Sequence, residues 1–143
     1  MTDGPLPELD AEAAIRRVMV AYMQACDEHT PAAVAQLFSE NARWSSMRPG
    51  ASPPLEGREA IHETYAFDTT RLTFCVHYLT NEQIAVEGDR ATARYAYFEP
   101  AVNRGTLAVW TAGRYELDLV REFEGWFEDV GGTPLKVDLD VRG

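Results

Sequence analysis

Thr73-Phe-Cys-Val-His-Tyr-Leu-Thr-Asn81, running on through Glu82 to Glu87 and the turn Gly88-Asp89, is the stretch on which the fold turns. Phe74, Val76 and Tyr78 alternate with Thr73, Cys75, His77 and Leu79. Successive side chains on a strand point to opposite faces, so this alternation predicts one long strand over residues 72–87. His77 then sits mid-strand on the face of Cys75 and Leu79, turned indoors. An imidazole held there by a rigid strand is a candidate acid or base. On this stretch alone, a core histidine with one satisfied hydrogen bond is the plainer reading. The rest of the chain must supply a partner.

Downstream, the pattern stays that of strands. The Gly88-Asp89 turn leads into a second strand from Arg90 to about Val102, and Asn103-Arg-Gly105 makes the next turn. A third strand runs from Thr106 to about Arg121. The turn Gly131-Gly132-Thr-Pro134 precedes a last strand, Leu135–Val141.

Upstream, the pattern is helical. Residues 1–7 are a Pro/Gly-punctuated lead expected to be mobile, with a single domain over 8–143. From Glu8 to Asp27, Ile15, Val18, Met19, Tyr22 and Cys26 fall on one face of an amphipathic helix. Asp27 lies at its C-terminal end, where the helix dipole favours cations, so the carboxylate needs another reason to be there. Thr30-Pro31 restarts the chain as N-cap and first helical residue of a short helix to Phe38. A short strand, Ala42–Ser46, is centred on Trp44. Met47 to Gly57, with three prolines and two glycines, reads as a loop and a lid over a pocket mouth. Arg58–Phe67 is a third helix using Ile61, Tyr65 and Phe67, with His62 on its solvated side. Three helices followed by long antiparallel strands predict an α+β fold: a cone-shaped, curved sheet wrapped around the N-terminal helices, open at one end to a ligand.

Composition narrows the function classes. The chain has 143 residues, 45% hydrophobic and 25% charged, with a net charge of −10. Nucleic acids and anionic membranes need a basic surface, so neither is expected as a partner. No basic n-region precedes an apolar run, and no stretch approaches the ~18 apolar residues of a membrane span. Cys26 and Cys75 form no C-x-x-C, and His29, His62 and His77 form no H-x-x-x-H pair. Phosphate-loop and dinucleotide glycine motifs are absent as well. The expectation is a cytoplasmic, reduced protein whose site uses neither metal nor cofactor.

Several stretches in this order carry a resemblance. They are Ala14-Ile15 with Tyr22 and Asp27, Leu37-Phe38, Ala42-Arg-Trp44, Glu56-Gly-Arg-Glu-Ala-Ile61, His77-Tyr-Leu-Thr-Asn81, Ile84-Ala-Val-Glu-Gly-Asp89 and Gly113-Arg-Tyr115. Together they resemble the SnoaL-like members of the nuclear-transport-factor-2-like superfamily, whose fold is a cone-shaped α+β barrel. Within it, enzymes of the scytalone dehydratase, bile-acid 7α-dehydratase and hexachlorocyclohexane dehydrochlorinase types use an Asp–His dyad for elimination. The resemblance implies that Asp27 and His77 are that dyad and that Tyr22 lines the site. It also implies that Trp44, Tyr97 and Tyr115 are pocket lining. Two departures stand out. After Gly125-Trp126 the dehydrochlorinase type has an Arg, whereas this chain continues Phe-Glu-Asp-Val-Gly-Gly, leaving Lys136 or another group as the clamp. Where the scytalone type has a second histidine, this chain has Tyr95, Tyr97 and Glu99.

The chemistry implied is proton abstraction from carbon. A neutral imidazole suits that task near pH 7, and an adjacent carboxylate fixes its tautomer. In this reading His77 is the base, Asp27 holds it, and Tyr22 or Tyr115 donates a hydrogen bond to the developing oxyanion or the leaving group. Glu99, on the strand face of Tyr95 and Tyr97, is either a second acid/base or a solvated strand end. Cys75 is a small wall residue on the face of His77, not a nucleophile. The substrate expected is a small, cyclic, largely apolar molecule such as a steroid, polyketide or aromatic-derived compound. A lyase or isomerase competes with an aldol-type polyketide cyclase and with a non-catalytic binding or assembly domain. Leu107, Val109, Leu117 and Leu119 are expected on an outer sheet face through which the chain forms a homodimer or higher homo-oligomer.

Overall fold

A computed structural model describes residues 5–46, 50, 53–122 and 125–128, with side chains for residues 10–46, 50 and 53–121. Its elements are α1 (Pro5–Asp27), α2 (Pro31–Gln36), β1 (Arg43–Trp44), β2 (Leu55–Glu56), α3 (Arg58–Arg71), β3 (Leu72–Cys75), β4 (Tyr78–Glu87), β5 (Arg90–Asn103), β6 (Leu107–Glu122) and β7 (Gly125–Glu128). All strand pairings are antiparallel. β5 is the spine of the main sheet. It pairs along one edge with β3 and β4 in succession and along the other with β6, which carries β7. The expected last strand, Leu135–Val141, and Lys136 lie outside the described residues, as do parts of the expected lid.

The hairpins follow the turn chemistry of the sequence. Gly88 (φ 58°) takes the first central position of the two-residue turn between Glu87 and Arg90. A positive φ there matches the twist of the flanking strands, and glycine adopts it without strain. From the next turn, β5 and β6 pair without interruption from Asn103↔Leu107 to Arg90↔Val120. β4 bends at a bulge between Thr80 and Gln83, where Asn81 has φ 57°. One extra residue there increases the local twist and curls the edge toward the helices.

α1 packs into this concave face. Ile15, Met19 and Tyr22 are fully buried there with Phe38 of the α2–β1 link and Ile61 of α3, against Tyr95, Leu117 and Leu119 of the sheet. The periodicity of α1 is therefore that of a plug. Burying each such aliphatic side chain stabilises the fold by about 1.5–3 kcal/mol.

Several details differ from the sequence reading. The strand expected over 72–87 is broken at Val76 and His77. The Met47–Gly57 loop contains β2, which pairs Leu55 with Trp44 and Glu56 with Arg43. α3 continues past Phe67 to Arg71, and Phe67 is exposed, not buried. Leu117 and Leu119 are core residues, 2% and 0% exposed, because they share strand parity with buried Tyr115. Val109 has the same parity and lines the cavity. Leu107 is exposed, as expected, and the apolar outer surface of the sheet also includes Phe74, Tyr78, Phe98 and Trp110, with ring contacts joining Tyr78 to Phe98 and Phe98 to Trp110.

Candidate active site

The last turn of α1 is locked by its C-cap. His29 takes a left-handed conformation (φ 55°), its N–H donates to the carbonyl of Cys26 at 3.1 Å, and the Thr30 N–H donates to that of Ala25 at 3.0 Å. This paired closure is a Schellman motif with histidine where glycine is commoner. It fixes Asp27, the last helical residue, against the edge of the sheet.

The break in the edge strand has a cause on β5. The ladder closes at Cys75↔Ala101 and resumes at Tyr78↔Phe98. Between them, the Val76 N–H donates to the carbonyl of Pro100 at 3.1 Å, but Pro100 has no N–H to return. Half of that pair is missing, and the strand opens at His77. Continuing the register sets His77 opposite Glu99. The backbone N–H of His77, which has no strand partner, donates to Oδ2 of Asp27 at 3.0 Å. Its ring Nδ1 lies 2.6 Å from Oδ1 of the same carboxylate. The carboxylate at the helix C-terminus thus has its compensation in two hydrogen bonds from one residue.

On the other side of the ring, Nε2 lies 3.5 Å from Oε2 of Glu99, which accepts a hydrogen bond from Oγ1 of Thr111 at 2.9 Å. The side chain of His77 is 7% exposed, that of Glu99 15% and that of Asp27 22%. The imidazole is thereby held between two carboxyl groups. Burial holds the Glu99 carboxyl above its ordinary 4.5, against the lowering pull of His77 and of the Thr111 hydrogen bond, while Asp27 adds to the rise. Burial, reinforced by Glu99 and Asp27, pushes the Cys75 thiol up to about 12. Burial also raises Tyr115, whose phenol stays protonated as a donor.

A cavity of about 510 Å³ opens beside the pair. His77, Glu99, Trp44, Cys75, Tyr97 and Tyr115 all line it. Asp27 and Tyr22 stand behind the wall. Tyr22 is fully buried, edge-on to the rings of Phe38, Tyr65 and Tyr115, and its hydroxyl hydrogen-bonds that of Tyr65. Tyr65, its partner, lines the cavity together with Tyr97 and Tyr115. Thr111, absent from the sequence reading, was accessible to it: the Asn103-Arg-Gly105 turn sets Glu99 opposite Thr111.

Asp27, Cys75 and His77 also offer three ligand atoms within 4.8 Å of one another. They could ligate a cation only by giving up the Asp27–His77 hydrogen bonds, the proton on Cys75 and its 3.7 Å contact with the carbonyl of Cys26.

The raised Glu99 makes a stability prediction. An acid whose folded pKa exceeds its unfolded value holds its proton better in the folded state. Its contribution is complete below about 4.5 and is lost as pH rises through the folded value. Glu99→Gln keeps the size and removes the titration. Urea midpoints measured across this range should show the variant gaining on the wild type as pH rises.

The architecture is an α+β cone with a helix as plug and with His77 and Glu99 on its cavity wall. The SnoaL-like domain family profile matches residues 7–127, and the chain belongs to that family. Among solved structures, it is similar to a candidate aromatic ring hydroxylase from Novosphingobium aromaticivorans, at 28% identity and TM-score 0.83 over 94% of this chain and 92% of the other. It is also similar in fold to a candidate scytalone dehydratase of the same organism (23%, TM-score 0.76, 100% and 89% covered). The type-3 hexachlorocyclohexane dehydrochlorinase of Novosphingobium barchaimii shares the fold as well (18%, 0.79, 96% and 91%). A comparison with curated proteins finds no match.

Proposed function

We propose that this protein is a cofactor-independent lyase or isomerase that removes a proton from carbon in a small, cyclic, largely apolar molecule. The observation that carries the reading is the two-point grip of Asp27 on His77. With its backbone N–H and Nδ1–H both donated to one carboxylate, the ring keeps its proton on Nδ1 and presents Nε2 as a bare base. The substrate C–H bond breaks to Nε2, and its electron pair forms the new double bond. Glu99, whose hold on its proton is strengthened by burial, donates to the departing hydroxyl, which leaves as water. In a substrate without a leaving group, the proton returns at another carbon and the result is isomerisation. Tyr115, a protonated phenol on the cavity wall, stabilises the developing oxyanion.

The aromatic wall of Trp44, Tyr97 and Tyr115 supports a ring-bearing substrate. The net charge of −10 argues against nucleic acid or an anionic membrane as partner. No described helix is long and apolar enough to cross a membrane. Cys26 and Cys75 are free thiols, in keeping with the reducing cytoplasmic setting we propose.

The test is incubation in D₂O with a panel of cyclic β-hydroxyketones. Loss of water, or deuterium entering beside the carbonyl, that disappears in His77→Ala supports the reading. Tight binding of panel members with neither event makes this a binding domain.

We further propose a homodimer through the outer-face aromatics Phe74, Tyr78, Phe98 and Trp110. Sedimentation velocity should give a dimer for the wild type and a monomer for the double variant Phe98→Asp, Trp110→Asp. A wild-type monomer at tens of micromolar sinks this proposal.

A further inference from the structure

The cavity has a second polar corner, remote from the dyad. Arg71 ends α3 and Asn103 ends β5; Leu72 pairs with Asn103, and the Arg104 N–H donates to the carbonyl of Arg71 at 2.7 Å. Both side chains line the cavity. Nη2 of Arg71 is held by Oδ1 of Asp68 at 2.6 Å, but its Nε–H is buried without a hydrogen-bond partner, and so is Oδ1 of Asn103. Buried polar atoms in native proteins are nearly always paired, and leaving one unpaired is costly. With their backbones adjoining through the Leu72–Asn103 pair, Arg71 and Asn103 bring an orphan donor and an orphan acceptor to one stretch of cavity wall, which describes a ligand.

The ligand must accept from Arg71 and donate to Asn103. A hydroxyl does both; a carboxylate or a ketone only accepts. Charge favours the same choice, since Asp68 already balances Arg71 and the chain carries a net −10.

We propose that the substrate carries a hydroxyl bound by Nε of Arg71 and Oδ1 of Asn103, at the end away from the reacting carbon. This rests on the reading of the cavity as the seat of a small cyclic molecule. Glu99 and Asn103 are four residues apart on one face of β5, about 13 Å along the strand. Subtracting a hydrogen bond at each end leaves about 8 Å between the substrate's two polar atoms, the span of two fused rings. The substrate class is then a fused-ring compound oxygenated at both ends, and Arg71 and Asn103 decide specificity.

The probes are 2-naphthol, 2,6-dihydroxynaphthalene and 6-hydroxy-2-naphthoate, titrated calorimetrically. In the wild type the diol should bind about tenfold tighter than the mono-ol. In Asn103→Leu and separately in Arg71→Met, each checked for folding by near-ultraviolet circular dichroism, that ratio should fall to about one. Equal affinities in the wild type, or a ratio that survives in both variants, overturns the proposal while binding of 2-naphthol leaves the cavity reading standing. A naphthoate that binds tighter than the diol overturns it in favour of an anion. Failure of all three probes to bind removes the cavity reading and this proposal together.

Discussion

Asp27→Asn is expected to lower turnover about 10²–10⁴-fold with little loss of stability. The argument is one of counting acceptors. Oδ2 of Asp27 receives the backbone N–H of His77 and Oδ1 receives the ring. Asparagine has one oxygen and one amide nitrogen in the same positions. The backbone N–H can only donate, so the oxygen must go to it, and the amide N–H then faces Nδ1. A ring nitrogen facing a donor must be bare, which moves the imidazole proton to Nε2, the nitrogen toward Glu99 and the cavity. The base becomes an N–H. Because both hydrogen bonds are retained, the one to the ring with its roles exchanged, the fold is left intact. Asp27→Ala differs, since it leaves a part-buried N–H unpaired at a cost of about 1–3 kcal/mol. Rate and urea stability measured on both variants separate the two effects. Equal turnover in wild type and Asp27→Asn would mean that His77 is not the base.

Tyr22→Ala should destabilise the fold by about 3–5 kcal/mol, a large share of the about 5–15 kcal/mol available to a domain. Its ring is fully buried where three elements meet, edge-on to Phe38, Tyr65 and Tyr115 at centroid separations of 5.7, 6.0 and 6.0 Å. No single neighbour can collapse into the space. Tyr22→Phe retains the ring and loses only the hydrogen bond to Tyr65, at about 1 kcal/mol. The pair of variants also tests the placement of Tyr22 behind the wall. If its hydroxyl acted on the substrate, Tyr22→Phe would lower turnover as Tyr115→Phe is expected to do. If it positions Tyr65, turnover holds close to wild type while thermal stability falls slightly.

The plug of the cone was legible from the spacing of Ile15, Met19 and Tyr22, and the hairpins from Gly88-Asp89 and Asn103-Arg-Gly105. The break at Val76–His77 was not. Its cause, the missing N–H of Pro100, acts only once the register brings that residue opposite Val76. The same dependence on register hid the inward direction of Leu117 and Leu119: period-2 alternation pairs them with Tyr115 but does not say which face is covered. β2, two residues inside a proline-rich loop, is too short for any periodicity to announce. For the site, strand alternation brought His77, Cys75 and Glu99 to candidacy, whereas Asp27 came from family resemblance. No local pattern marks a carboxylate at a helix end as the partner of a histidine fifty residues away. Arg71 and Asn103 escaped notice for a related reason. Each is unremarkable in its own element, and only their meeting at one corner of the cavity leaves two polar atoms unpaired.

The central claim is that Asp27 fixes the imidazole with its proton on Nδ1 and Nε2 bare toward the cavity. A long-range ¹H–¹⁵N correlation spectrum of the His77 ring, recorded at a pH where the ring is neutral, reads this without any substrate. The account predicts the Nδ1–H tautomer in the wild type and the Nε2–H tautomer in Asp27→Asn. An Nε2–H ring in the wild type, or the same tautomer in both proteins, would contradict it.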